Sequence, residues 1–152
     1  MLVRDAIPGD LLRILSIYNH AATNTTAVWT DGASDIVERR SWFDARSRSG
    51  FPVLVAEASR EVIGFASFTD FRPWPGYRYT VENSIYVDPS FDRRGAAREA
   101  SNEASLALHR GEDFMESGRI PEIGCKFGRW LDLIFLSKKL DNRVEPGDAI
   151  SK

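Results

Sequence analysis

Glu82 falls within Tyr79 to Val87, a run whose β-branched and aromatic residues predict a strand. Its neighbours Val81 and Ile85 predict partial burial. A carboxylate drawn out of water is driven towards its neutral form, which suits a general base working near neutral pH; an exposed Glu on the polar face of the strand fits the same pattern. Arg93-Arg94-Gly95-Ala96 then follow a strand and precede a helix, the order in which backbone N–H groups and a positive helix end can hold a phosphate. The same residues also describe an ordinary solvated turn, and no second glycine follows them. His109 ends the next helix seven residues after Asn102, so both lie on one helical face two turns apart. An imidazole there could carry a proton, or simply complement the helix dipole. Arg72, Trp74, Tyr77 and Arg78 crowd one Pro/Gly loop, where guanidinium groups suit a carboxylate and rings can frame an apolar stem. Rings packed on the sheet would account for the same loop. Cys125, in Ile-Gly-Cys-Lys, has no activating partner in sequence and reads as an ordinary thiol.

These groups need elements to hold them. Leu2 to Arg4 predicts a first strand, and Pro8-Gly9-Asp10 punctuates it, with Asp10 as the cap of a helix whose stripe is Leu11, Leu12, Leu15, Tyr18 and Ala22. Ser34 or Asp35 caps a second helix running to about Ser47, with Ile36, Val37, Arg40 and Phe43 on related faces and Gly50 as its stop. Phe51 to Glu57 and Val62 to Thr69 predict an antiparallel hairpin across the polar Ala58 to Glu61. After Tyr79 to Val87 come a helix over about Arg98 to His109 and two strands, Phe114 to Ile120 and Arg129 to Leu140, joined by a turn near Pro121 to Gly124. Residues 141–152 read as a polar tail to a single domain over 1–140. The order predicts an α/β (α+β) domain built on a mixed sheet.

Composition narrows the classes. The 152 residues are 43% apolar, enough for one core, and 20 basic against 22 acidic residues leave no global field for nucleic acid or an anionic membrane. One cysteine excludes an internal disulfide framework. No stretch approaches the roughly 20 apolar residues that span a bilayer, and the amino-terminal residues lack a secretory pattern, so a cytoplasmic protein is expected.

Longer motifs are more specific than any of these signals. Val3-Arg-Asp-Ala, Asn24-Thr-Thr-Ala-Val-Trp29, Trp42-Phe-Asp-Ala-Arg46, Gly64-Phe-Ala-Ser-Phe, Val81-Glu-Asn-Ser-Ile-Tyr-Val-Asp-Pro89, Asn102-Glu-Ala-Ser-Leu-Ala-Leu-His109 and Lys126-Phe-Gly-Arg-Trp-Leu-Asp132 span nearly all of the chain to Leu140. Through them the chain resembles the GCN5-related N-acetyltransferases (GNAT), and among those the phosphinothricin and methionine sulfoximine or sulfone acetyltransferases. The resemblance implies a mostly antiparallel sheet flanked by helices and acetyl transfer from acetyl-CoA to the α-amine of a small amino-acid analogue. It implies that the backbone of Ile85, Tyr86 and Val87 pairs with the pantetheine arm, that Arg93, Arg94, Gly95 and Ala96 hold the pyrophosphate, and that Asn102 contacts CoA. Glu82 would take the amine proton, through water, and His109 stands where many relatives place a tyrosine that protonates the leaving thiolate. Arg72, Trp74, Tyr77, Arg78, Asn83 and Ser84 would line the acceptor site. No metal is implied, and a homodimer is expected by analogy.

The resemblance has a gap. In the family the loop runs on through further glycines into a long helix and a strand before the Asn-Glu-Ala-Ser helix begins. Here that helix and strand are absent, a shortfall of roughly two dozen residues after Gly95. The missing strand would form one wall of the cofactor cleft. The alternative reading is therefore a catalytically impaired remnant serving as a dimeric scaffold or binding module. A small nucleic-acid-binding domain using Arg72, Arg78, Arg93 and Arg94 is opposed by the overall acidity.

Overall fold

A computed structural model describes residues 1–30, 32–91 and 102–141. The chain divides into two compact units, Met1–Ala100 and Ser101–Lys152.

In the first unit β1 (Leu2–Asp5) leads through a 3-10 turn (Pro8–Asp10) into α1 (Leu11–Asn24), followed by α2 (Ile36–Arg48), β2 (Val53–Ala58), β3 (Glu61–Asp70) and β4 (Val81–Val87). The four strands form one antiparallel sheet in the order β1-β2-β3-β4, so β4 is a terminal strand. Because side chains alternate across a strand, Val53 and Val55 share a sheet face with their cross-strand neighbours Ser67 and Phe65. Leu11, Ile14 and Ile17 of α1 close over that face with Val53, Val55, Val62 and Phe65, and Tyr18, Trp42, Phe43 and Tyr86 pack around the cluster. Each fully buried aliphatic side chain contributes about 1.5–3 kcal/mol.

The stripe on α1 differs from the expected one. Ile14 and Ile17 are buried with Leu11 and Ala22, whereas Leu12 is 71% exposed. A step of one residue turns the helix by about 100°, so Leu12 cannot share the face Leu11 presents. Asp10 also has another role: its carboxylate accepts from the Ile7 N–H (2.8 Å) and the Arg4 guanidinium (2.7 and 3.0 Å), and it makes no side-chain cap to α1. Asp35 is the cap of α2, accepting from the Glu38 N–H (2.8 Å) while Glu38 accepts from the Asp35 N–H (3.2 Å), a capping box. Gly50 follows the helix at φ 72°, as its position predicts. On α2 the expected Ile36, Val37 and Arg40 are exposed; the inward residues are Arg39, Trp42 and Arg46, with Phe43 half-buried beside them. The β2–β3 hairpin turns on Ser59 and Arg60, both at positive φ, which matches the right-handed strand twist.

The second unit comprises α3 (Asn102–Gly111), β5 (Met115–Lys126) and β6 (Arg129–Ser137), the two strands forming an antiparallel hairpin. Its turn is Phe127-Gly128, at φ 52° and 69°, and not Pro121 to Gly124. Pro121 interrupts the ladder because it has no N–H, and residues 121–123 bulge out between the pairs Ile120↔Leu133 and Gly124↔Leu131. The bulge is tied down by Asp132, which accepts from the Glu122 N–H and from Arg119, each at 3.1 Å.

Candidate active site

β4 positions most of the candidates, and its alternation sorts them. Ser84 and Tyr86 face the helices: Tyr86 stacks on Phe65 (5.1 Å between ring centres) and meets Tyr18 edge-on (5.7 Å). Glu82 belongs to the same alternate set, while Val81, Asn83, Ile85 and Val87 belong to the opposite one. The apolar neighbours that predicted a half-buried Glu82 therefore report on the wrong face, and Glu82 is exposed. It pairs with Thr69 across the sheet, one pair from the end at which the 71–80 loop joins β3 to β4. Burial pushes the Tyr86 hydroxyl above its ordinary pKa, so it remains a phenol and a donor at neutral pH.

Ile85 and Val87 are exposed on a terminal strand whose one described partner is β3, an arrangement able to offer backbone groups to an extended amide-bearing arm. At the end of this strand β3 comes unusually close. A Cβ on Gly64 would lie 2.9 Å from the Tyr86 carbonyl oxygen, so only glycine fits there. Asp88, buried at the end of β4, accepts from the Ser90 N–H (2.8 Å) and pairs with Arg13, fixing the exit of the chain.

The loop residues Arg72, Trp74, Tyr77 and Arg78 are all exposed. Trp74 and Phe71 pack against Tyr77, while the Arg72 guanidinium covers the Phe71 ring at 4.1 Å and that of Arg78 covers Tyr79 at 4.5 Å. The loop is a cluster of its own aromatic and guanidinium groups. Arg93, Arg94, Gly95 and Ala96 lie outside the described residues, and Asn102 begins α3 with its side chain outside the description. His109, in the second unit, stands at the end of α3 with Nδ1 2.7 Å from the Ser105 carbonyl oxygen and its ring edge-on to Phe114 at 5.3 Å. An N–H at Nδ1 donating to that carbonyl leaves Nε2 as the outward nitrogen. Cys125 is a free, exposed thiol. Among the described residues no group of three or more His, Cys, Asp or Glu could hold a metal ion.

A cavity of about 340 Å³ opens between the helices and the sheet, lined by Tyr18, Ser34, Glu38, Arg39, Trp42, Arg46, Phe65, Ser67, Ser84 and Tyr86. Of these Ser84 and Tyr86 are among the residues expected in a site, Tyr86 through its backbone on the coenzyme side. The missed signal is the spacing of Arg39, Trp42 and Arg46, at i, i+3 and i+7, which places two guanidinium groups and an indole on one face of α2. The face expected of that helix, Ile36, Val37, Arg40 and Phe43, takes the neighbouring arginine instead of Arg39.

Residues 14–115 match the acetyltransferase (GNAT) family. The chain belongs to that family. The acetyltransferase is 45% identical to the L-methionine sulfoximine/L-methionine sulfone acetyltransferase of Pseudomonas paraeruginosa, over 91% of this chain and 94% of that protein. It is 31% identical to the phosphinothricin N-acetyltransferase of Alcaligenes faecalis, over 92% of this chain and 81% of that one. Among solved structures it resembles a Salmonella typhimurium protein determined with its cofactor acetyl-CoA, at TM-score 0.89 and 38% identity, with 98% of this chain and 99% of that one covered. The Pseudomonas alignment runs over 164 residues yet takes in 91% of a 152-residue chain, so about two dozen of its positions face no residue here. Only residues 92–101 separate the described end of the first unit from α3. No helix among the described residues is long and apolar enough to cross a membrane.

Proposed function

We propose that this acetyltransferase moves the acetyl group of acetyl-CoA to the α-amine of a small amino-acid analogue of the methionine sulfoximine, methionine sulfone or phosphinothricin type, as a cytoplasmic homodimer without a metal. The observation that carries the reading is end-to-end likeness to relatives named for those acceptors, at up to 45% identity. Glu82 serves as the base. An ammonium must lose a proton before its nitrogen can attack a thioester, and an exposed carboxylate can accept that proton through a water molecule. Ile85, Tyr86 and Val87 offer backbone groups to the pantetheine arm, Arg93 to Ala96 receive the pyrophosphate, and Asn102 touches the coenzyme. Asn83, Ser84 and the loop carrying Arg72, Trp74, Tyr77 and Arg78 border the acceptor. His109 returns a proton to the departing thiolate; with Nδ1–H held by Ser105, it does so from the imidazolium form through Nε2.

The test is acetylation of methionine sulfoximine with release of free thiol. The parent protein should turn over, and Glu82→Gln should lower kcat by about 10²–10⁴-fold while leaving the KM for acetyl-CoA nearly unchanged. Glu82→Gln matching the parent would remove Glu82 from the mechanism. A second reading, a remnant that acts as a dimeric scaffold, is favoured by the alignment positions without a counterpart here. No turnover on any of the three acceptors, together with a stable dimer, would select it.

A further inference from the structure

The cavity beneath α2 has an unusual charge. Arg39 is 5% exposed, and its guanidinium lies 3.8 Å over the Tyr18 ring and 4.8 Å from that of Trp42, so aromatic surfaces cover its faces. Its Nε–H has no acceptor, and neither does that of the half-buried Arg46, whose guanidinium approaches Trp42 at 5.8 Å. No carboxylate forms an ion pair with either arginine among the described residues. The one acid lining the space, Glu38, is engaged by the Ser34 hydroxyl (2.9 Å) and the Asp35 N–H (3.2 Å) of the helix cap. Burial lowers the pKa of Arg39 by more than Tyr18, through a hydrogen bond, and the nearby Glu38 raise it, so the cation is only partly compensated. The remaining polar lining is hydroxyl: Tyr18, Ser34, Ser67, Ser84 and Tyr86.

One buried and one half-buried cation flanked by hydroxyl groups form a receptor for an oxygen-bearing acceptor group, above all an anion, because a poorly compensated buried charge is costly and a bound anion reduces the cost. Ser84 ties the cavity to the reaction, since it lies two residues from Glu82 in the same alternate set of β4. A phosphate-sized coenzyme fragment is the less suitable occupant, because of the strand segment proposed for pantetheine only Tyr86 lines the cavity, while Ile85 and Val87 belong to the opposite sheet face. We infer that Arg39 and Arg46 bind an oxygen-bearing group of the acceptor amino acid, either its anionic α-carboxylate or the oxygens of its side chain, anionic in a phosphinate and strongly dipolar but neutral in a sulfone or sulfoximine, and thereby set acceptor specificity. This rests on the proposed acceptor class.

The experiment uses the full chain with coenzyme A present. Binding of methionine sulfone is measured by calorimetry, separately from turnover, for the parent, Arg46→Gln and Arg39→Lys. Each substitution should weaken binding about tenfold or more, as expected for a lost charge-assisted hydrogen bond, while leaving the coenzyme KM unchanged. Arg46, only half-buried, carries the test if Arg39→Lys does not keep the parent's melting transition. The carboxamide of methionine sulfone and norleucine then separate the two sources. If the α-carboxylate is the ligand, the parent's preference for acid over amide collapses in the variants. If the side-chain oxygens are, its preference for the sulfone over norleucine collapses. Folded variants that bind methionine sulfone like the parent, or a parent that does not bind it, overturn the inference. Binding without turnover leaves the inference standing and sinks the proposed function.

Discussion

Two carboxylates on the first unit illustrate opposite uses of one functional group. Glu82 is exposed, whereas Asp10 is buried, bridged to Arg4 through both oxygens and capped by the Ile7 N–H. The Arg4 hydrogen bonds hold the Asp10 carboxyl below its ordinary value of 3.8. A carboxylate depressed in the folded state contributes stability that is fully present above its unfolded pKa and is lost as pH falls through the folded one. The unfolding free energy should therefore decline on acidification below about pH 5. Asp10→Asn should make that decline shallower and cost about 1–3 kcal/mol at pH 7, where Arg4 loses one of its two charged partners and keeps Glu57. Urea denaturation at a series of pH values measures both effects; an unchanged acid slope in the variant would show that Asp10 does not drive it. Asp88 adds to the same limb, because the bonds from Ser90 and Arg13 outweigh the upward push of burial and hold it below 3.8.

Two glycines mark places where an element depends on the absence of a side chain, for different reasons. At Gly64 the obstacle is space: a methyl group would meet the Tyr86 carbonyl oxygen at 2.9 Å and Val87 at 3.5 Å, and neither can yield without opening the β3–β4 pair. Gly64→Ala should cost about 1–3 kcal/mol and weaken acetyl-CoA binding, because the displaced backbone is the segment assigned to pantetheine. At Gly128 nothing lies within 4 Å, but φ is 69°, so Gly128→Ala should cost only about 1–2 kcal/mol and leave coenzyme binding intact. Denaturant midpoints and coenzyme titrations on both variants separate steric from conformational cost. The same elements explain what could be read in advance. Asp35, Gly50 and the strands around Ala58 to Glu61 were legible because caps, stops and hairpins are local chemistry. The Phe127-Gly128 turn was not, since Pro121 gave the louder breaker signal and proved to mark a bulge. Arg39 was missed because its burial depends on rings from α1 and its own helix, and periodicity weighs an arginine as polar.

For the molecule as a whole, what matters is whether a chain shorter than its relatives by about two dozen aligned positions still engages acetyl-CoA. The family motifs lie on both sides of the shortfall, with β4 in the first unit and Asn102 in the second, so each unit carries residues assigned to the coenzyme. A ligand that binds only the folded chain stabilises it by about 2.7 kcal/mol at a concentration of 100 Kd, which for a protein of this size raises the melting temperature by about 5–10 °C. Acetyl-CoA should produce such a shift in the full chain, and Gly64→Ala should reduce it at equal coenzyme concentration. Thermal melts with and without acetyl-CoA, paired with thiol release on methionine sulfone, separate three states of the protein. A shift with turnover marks a working enzyme in which the residual segment 92–101 suffices for the coenzyme. A shift without turnover places the defect in the acceptor or proton-transfer groups, where Glu82, His109 and the cavity beneath α2 are the positions to change. Neither shift nor turnover leaves a fold that keeps the family's acceptor-side architecture after losing the cofactor cleft, and the dimeric scaffold is then the reading to pursue.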